Sequence, residues 1–480
     1  MKLSFATTIF QVIALASSSS AAESNTFKCL DADEVDYSKD YFPDKIEPTY
    51  SQLWEMTYHK TYKIFKNKVT DTSYALYQCG TELPDGVAEQ HTDTIAVPLQ
   101  DGIALSATTQ VPQLEQLGLR RQITGYLGNP AYISSPCVSS LASGDDTKIT
   151  PVYDDQQGFP NTAGTPKLDF IANNPDVMIL KANDTGNNTV NWNAYVENGN
   201  KATYEWHKVM GAFFNLEKLA NEQFQEIGDR YDCVNDNANY LLEHSTSTSR
   251  NLRTAEKEES MVEGDSERKL SELQKPKVLW ATKIWNGPYW DVARCDEENE
   301  YYCEFATACA SELLHSNDGS IENYYTPGDY HMTTEELKEF GKDADVWIIP
   351  GFIYGELSSV YSEFWGNFTD FKSVQNGQVY DVRAKGGNNW FESRVAEFDV
   401  VLQDFCEVVG LYDDSSVQHE RQYFRKLLPV AEEPGDLGTC EDVDAQWESV
   451  ASECTSLNGA SSMNVIASVV ISVISAFYLF

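Results

Sequence analysis

The chain has 480 residues and carries 35 Lys and Arg against 74 Asp and Glu, a formal net charge of −39 at pH 7. So negative a surface repels phosphate backbones and anionic headgroups, which argues against nucleic acid as a partner. The ten cysteines, all beyond residue 28, allow up to five disulfides if the chain is secreted, with the connectivity left open by the sequence.

The first 22 residues read as a secretory signal peptide. Lys2 supplies the positive charge, Thr8 to Ala16 an apolar core, and Ser17 to Ala22 the small residues before a cut after Ala22. Residues 23–90 are expected to form a β-rich extension, in which Thr61 to Lys66 and Ser73 to Gln78 flank a polar turn as a hairpin. An amino-terminal α/β lobe is placed at 91–203. Its buried strand is Gly102 to Ala107, followed by a helix around Leu114 and Leu117 that ends at Gly118.

A weak internal repeat organises the rest. Thr165 to Leu180 reads as helix, turn and apolar strand, and Thr334 to Ile349 has the same layout, with Asp176-Val177 matching Asp345-Val346. Helix then apolar strand, twice, predicts parallel sheets flanked by helices, in two similar lobes. Between the copies, apolar residues from Trp206 to Ile227 fall at helical spacing. They predict one long helix over Tyr204 to Tyr231, within a connecting segment at 204–244.

Residues 245–275 lack aromatics and are dense in Ser, Glu and Arg, the composition of a disordered surface insertion. A carboxy-terminal α/β lobe follows at 276–411, beginning with the strand Lys277 to Ile284 and ending with a helix near Val400 to Gly410. Residues 412–457 are acidic and irregular, with Cys440 and Cys454 expected to tie them down. The uncharged run Val465 to Phe480 closes a tail at 458–480. It reads either as a GPI-attachment signal, with Asn458 the candidate residue, or as a short membrane anchor. Removing both ends leaves residues 23–457, about 435 residues, enough for two or three domains. Asn183, Asn187 and Asn367 head glycosylation sequons.

Catalytic signatures are missing. There is no HExxH, no GxSxG, no Walker loop and no GxGxxG after a strand, and the seven histidines are scattered with no pair at ligand spacing. Cys295, Cys303 and Cys309 have neither a CxxC pair nor a nearby histidine and are read as disulfide cysteines rather than zinc ligands. Aromatic residues instead gather in loops after strands: Trp285, Tyr289 and Trp290; Phe352 and Tyr354; Trp390 and Phe391. Ligands of open α/β sheets bind beyond the carboxyl ends of the strands, where such rings suit a bulky, partly apolar molecule. The alternative is that the rings cover their own lobe's core.

Several stretches resemble the substrate-binding proteins of ABC importers for ferric siderophores, haem or cobalamin. They are Gly102 to Gly118, Ser134 to Val138, Asn174 to Leu180 and Tyr204 to Asn215, then Val278 to Trp290, Asp343 to Gly351 and Asn376 to Ser393. The chain looks most similar to a eukaryotic cell-surface branch, the ferrichrome-binding-type proteins of diatoms. The resemblance implies an α/β fold of two Rossmann-like lobes joined by a long backbone helix, as in class III periplasmic binding proteins. It places Thr108, Thr109, Ser134, Ser135, Trp285, Tyr289, Trp290, Tyr354, Arg383 and Trp390 at the cleft. The hydroxyls would meet polar ligand edges, the rings would pack on its faces, and Arg383 would pair with an anionic or hydroxamate oxygen.

The expected function is therefore capture of a ferric siderophore or a related iron or tetrapyrrole complex at the outer face of the plasma membrane, without catalysis, cofactor or bound metal of its own. The C-terminal anchor would hold the protein there, with a membrane reductase or an endocytic receptor as downstream partner. The alternatives are a structural or adhesive surface glycoprotein on the same fold and, less favoured, a carbohydrate-active enzyme using two of the many carboxylates.

Overall fold

A computed structural model describes residues 24–143, 148–153, 165–182, 186, 188–244, 275–283, 289–295, 301–322, 330–351, 366–411 and 419–457. The signal-peptide reading, the insertion, the tail and the sequons at Asn183 and Asn187 lie outside these residues. Asn367 is described and exposed, with its neighbour Phe368 buried. Among the described residues no helix is long and apolar enough to cross a membrane.

The chain opens with a four-stranded sheet. Trp54–Tyr58, Tyr62–Asn67 and Thr72–Gln78 run antiparallel, and Asp93–Val97 adds in parallel to the third. The expected hairpin is its centre, with Tyr62 opposite Tyr77 and Asp71 turning the chain at φ 52°.

The amino-terminal lobe is a six-stranded, wholly parallel sheet. In spatial order its strands are Thr189–Asn191, Met178–Lys181, Ile103–Leu105, Ile123–Tyr126, Thr150–Tyr153 and Thr165–Pro166. Side chains alternate between the faces of a strand, so a sheet covered on both sides needs apolar residues at every position. That is what the sequence supplies. Ile103, Leu105, Met178 and Leu180 face one cluster, shared with the amino-terminal extension, while Ala104 and Ile179 face another, with Phe170.

The carboxy-terminal lobe is a mixed eight-stranded sheet. Lys277–Lys283, Val346–Ile349 and Val379–Asp381 are parallel at its centre; Glu312–Leu314 adds in parallel to the first, and the remaining pairings are antiparallel. Val278, Trp280, Val346 and Ile348 face the cluster shared with the connecting helix, and Leu279, Ala281, Trp347 and Ile349 face the other side. The repeat read from sequence is visible here. Helix Lys167–Asn173 leads into strand Met178–Lys181, and helix Thr334–Gly341 into strand Val346–Ile349. In each lobe that second strand pairs in parallel with the lobe's first.

The connecting segment differs from its expected form. The window Tyr204 to Tyr231 holds parts of three helices, Asn200–Tyr204, Trp206–Ala212 and Glu217–His244, and only the last is long, at 28 residues. The break falls at Asn215, whose backbone is left-handed at φ 57° and whose amide donates to Thr26 O and Gln78 Oε1. Successive short helices keep the same 3.6-residue period as one long helix, so spacing alone did not reveal the break. The spine helix Glu217–His244 then spans both halves. Its Ala220 belongs to the amino-terminal core, and Phe224, Ile227, Tyr231, Val234 and Ala238 belong to the carboxy-terminal core.

All ten cysteines pair, as Cys29–Cys79, Cys137–Cys440, Cys233–Cys454, Cys295–Cys303 and Cys309–Cys406. Five disulfides and no free thiol mark an exported protein. Two of them carry the region after residue 419 across the molecule as a strap. Cys440 is bound to the helix Pro136–Ser143 of the amino-terminal lobe and Cys454 to the spine helix. Between these points Arg120 donates to Val443 O and Ala445 O, and Gln403 donates to Ser452 O.

Candidate functional site

A cavity of about 370 Å³ lies between the lobes. From the amino-terminal lobe it is lined by the turn after strand Ile103–Leu105 (Ser106, Ala107, Thr109, Gln110), by Gln113, and by the segment Trp192 to Asn200. From the carboxy-terminal lobe come Tyr301, Arg394 and Val395. The strand-to-helix turn at 106–110 stands at the carboxyl end of a central parallel strand, where this class of sheet exposes its loops. Gln110 braces that turn by accepting the N–H groups of Ser106 and Ala107.

Two polar side chains lining the cavity are incompletely satisfied. Gln113 is 1% exposed; its Nε2 donates to Thr109 O, while its Oε1 is buried with no hydrogen-bond partner. Arg394 sits over Tyr301, its guanidinium carbon 3.8 Å from the ring centroid and 5.8 Å from that of Trp390. Its Nε is buried without a hydrogen-bond partner, and among the described residues it makes no ion pair. Trp192 packs edge-on against Trp206, and Tyr195 is half exposed.

The lobes are clasped beside this cavity by carboxylates of the carboxy-terminal lobe. Glu392 accepts the backbone N–H groups of Ser134 at 2.6 Å and Ser135 at 2.9 Å, at the start of helix Pro136–Ser143. Glu304 accepts the N–H of Asn200 at 2.6 Å and its side-chain amide at 2.9 Å. Gln116 donates to Ala396 O at 2.9 Å. Burial pushes Glu392 up to about 8, against the lowering pull of the Ser134 and Ser135 amides. Burial likewise raises Glu304, and takes Glu397, which accepts the Tyr423 hydroxyl, up to about 7. Asp399, also raised by burial, pairs with Arg230 of the spine helix at 2.6 Å.

The residues nominated from sequence take distinct places. Thr109 lines the cavity, and Thr108 stands beside it in the same turn. Ser134 and Ser135 present their amides to Glu392, and the Ser135 hydroxyl donates to Glu115. Trp290 is 2% exposed in its own lobe's core, edge-on to Phe368, with its indole N–H donating to Thr334 Oγ1. Tyr289 lies half-buried in the strand with it. Trp390 is buried among Trp280, Phe424 and Tyr423, behind Tyr301. Arg383 follows strand Val379–Asp381, its N–H donating to Asp381 Oδ1. Trp285 and Tyr354 lie outside the described residues. Gln113, Trp192, Tyr301 and Arg394 were not nominated; the one available signal was that all four lie on or just after segments that follow strands or lead into helices. Among the described residues no group of His, Cys, Asp and Glu is placed to hold a metal ion.

Two α/β lobes, a long helix through both and a cavity at their junction define a two-lobed α/β architecture. The chain is similar to several solved structures of solute-binding proteins. One is a possible iron-binding periplasmic solute-binding protein of Staphylococcus epidermidis, 14% identical over 64% of this chain and 97% of that one, with a TM-score of 0.38. Another is a periplasmic haem-binding protein of Pseudomonas aeruginosa, 9% identical over 64% and 92%, TM-score 0.40. A third is an Fe3+-hydroxamate transport protein of Saccharomonospora viridis, 14% identical over 65% and 93%, TM-score 0.40. An uncharacterised lipoprotein of Methanocaldococcus jannaschii is 22% identical over 236 residues, 49% of this chain and 45% of its own length, so the chain spans less than half of that relative. No family model matches the chain. Likeness at this level carries nothing about the ligand.

Proposed function

We propose that the protein is a cell-surface solute-binding protein that captures a ferric siderophore or a related iron or tetrapyrrole complex between its lobes for uptake, without chemical turnover. The observation that carries this reading is the junction cavity, walled from both lobes and bounded by Trp192, Tyr195 and Tyr301, with Thr109, Gln110, Gln113, Asn200 and Arg394 among its polar groups. An apolar-walled space with a few convergent polar groups is the form of a small-molecule site. The clasp of Glu304 and Glu392 is made by the same two lobes, so binding and closure act on one interface. Membrane tethering through the tail after residue 457, and a reductase or endocytic receptor as the receiver of the cargo, complete the reading.

The test is titration of the purified chain with a ferric trihydroxamate, haemin and cyanocobalamin, read by equilibrium dialysis and by tryptophan fluorescence. Saturable binding of one of them, weakened by Tyr301→Ala, supports the reading. Absence of binding to all three overturns it.

A further inference from the structure

The cavity holds an unusual cation. The chain has 74 acidic and 35 basic side chains, and Arg120, Arg121, Arg230, Arg421 and Arg425 are each engaged by a carboxylate. Arg394 makes no ion pair among the described residues, although Glu392 and Glu397 stand two positions before it and three after. Those two carboxylates are committed elsewhere, to the Ser134 and Ser135 amides and to the Tyr423 hydroxyl. Its guanidinium carbon instead sits 3.8 Å from the Tyr301 ring centroid, and its buried Nε keeps no hydrogen-bond partner, so a donor remains for an oxygen ligand. Gln113, almost wholly buried on the opposite lobe, keeps an unpartnered oxygen in the wall of the same cavity. Leaving a buried polar group unpaired is unfavourable, so a ligand that supplies the missing partner gains by doing so.

Among the described residues that line the cavity Arg394 is the one cation; the amides of Gln110, Gln113 and Asn200 stand with it, and no carboxylate does. The junction carboxylates are spent elsewhere: Glu115 and Asp399 pair with Arg120 and Arg230, and Glu392 and Glu304 accept the Ser134, Ser135 and Asn200 amides. A single anionic oxygen group is matched by Arg394. A second anionic group finds no cation among the described residues that line the cavity, and a charge buried without a partner is costly. Resting on the reading of this cavity as the capture site, we infer that it selects a complex bearing one anionic group, set against Arg394, next to a hydrogen-bond donor set against Gln113, and that it rejects polyanionic complexes.

A matched series tests this: a ferric trihydroxamate with one free carboxylate, the same complex as its carboxamide, and a ferric tris-catecholate, each titrated calorimetrically into the full disulfide-bonded protein. The expected order is carboxylate tighter than carboxamide by tenfold or more, with the tris-catecholate weaker than both. Arg394→Gln removes the preference, Arg394→Lys restores part of it, and Gln113→Leu weakens carboxylate and carboxamide alike while keeping their order. Equal binding of the three complexes, or a preference that survives Arg394→Gln in a variant with a wild-type melting profile, overturns the charge assignment and leaves the capture site standing. Absence of binding to every member overturns both.

Discussion

The backbone N–H of Ser134, in one lobe, donates at 2.6 Å to Glu392 Oε2 in the other. With the neighbouring Ser135 N–H on Oε1, the carboxyl group holds the two residues before helix Pro136–Ser143 from across the cleft. Two backbone donors favour the charged form of the carboxyl group, but burial at the junction outweighs them and pushes Glu392 up to about 8.

This contact predicts a pH-dependent clasp. Glu392 and Glu397 are raised from 4.5 to about 8 and about 7, so the folded protein holds these two protons more tightly than the unfolded chain does. Their contribution is complete below about pH 4.5 and is lost as the pH rises through 7 and 8. The melting temperature is expected to fall from pH 6 to pH 9, and Glu392→Gln to flatten that slope. Parallel profiles for wild type and Glu392→Gln across the range would refute it.

A second prediction concerns the amino-terminal extension. Lys63 and Glu217 form an ion pair at 0% exposure for both side chains, with Asn25 and Asn215 completing the hydrogen bonds. Removing one partner strands a buried charge, so Glu217→Ala should cost about 3–5 kcal/mol in denaturant unfolding. The double variant Lys63→Met/Glu217→Leu should recover most of that loss, because no charge is left buried.

Gly211 tests the packing that seats the spine helix. A Cβ there would lie 2.7 Å from the Ala220 Cβ, so the two helices meet at a distance only glycine permits. Gly211→Ala is expected to destabilise by about 1–3 kcal/mol through overpacking. A stability equal to wild type would mean that the spine helix shifts freely on the amino-terminal lobe.

The strap gives a fourth. Non-reducing peptide mapping should recover Cys137 linked to Cys440 and Cys233 linked to Cys454. Cys137→Ser/Cys440→Ser should lower stability by about 2–5 kcal/mol, since each crosslink restrains the unfolded chain. It should also increase amide exchange in helix Pro136–Ser143 relative to the strands of the same lobe.

Much of the architecture follows from local pattern. Continuous apolar runs such as Met178 to Leu180 and Val346 to Ile349 are written for strands covered on both faces, and no other element uses them so economically. Their repetition after a helix specified two lobes, and the even number of cysteines in a chain read as secreted specified disulfides. The site was less legible. Loop aromatics were the visible signal, yet Trp290 and Trp390 pack into cores, because a large ring has as much to gain from a core as from a ligand.

The sequence by itself determined what depends on neighbours along the chain: strand and helix identity, the two-lobed plan and the acidic, disulfide-bearing character. Only the tertiary structure decided what depends on residues far apart. It broke the connecting segment at Asn215, where bonds to Thr26 and Gln78 hold a left-handed backbone. It chose the cysteine partners, up to 303 positions apart. It brought Gln113 and Arg394 to one cavity while Ser134 and Ser135 met Glu392. Periodicity records which face of an element is buried; it carries no record of which distant element buries it.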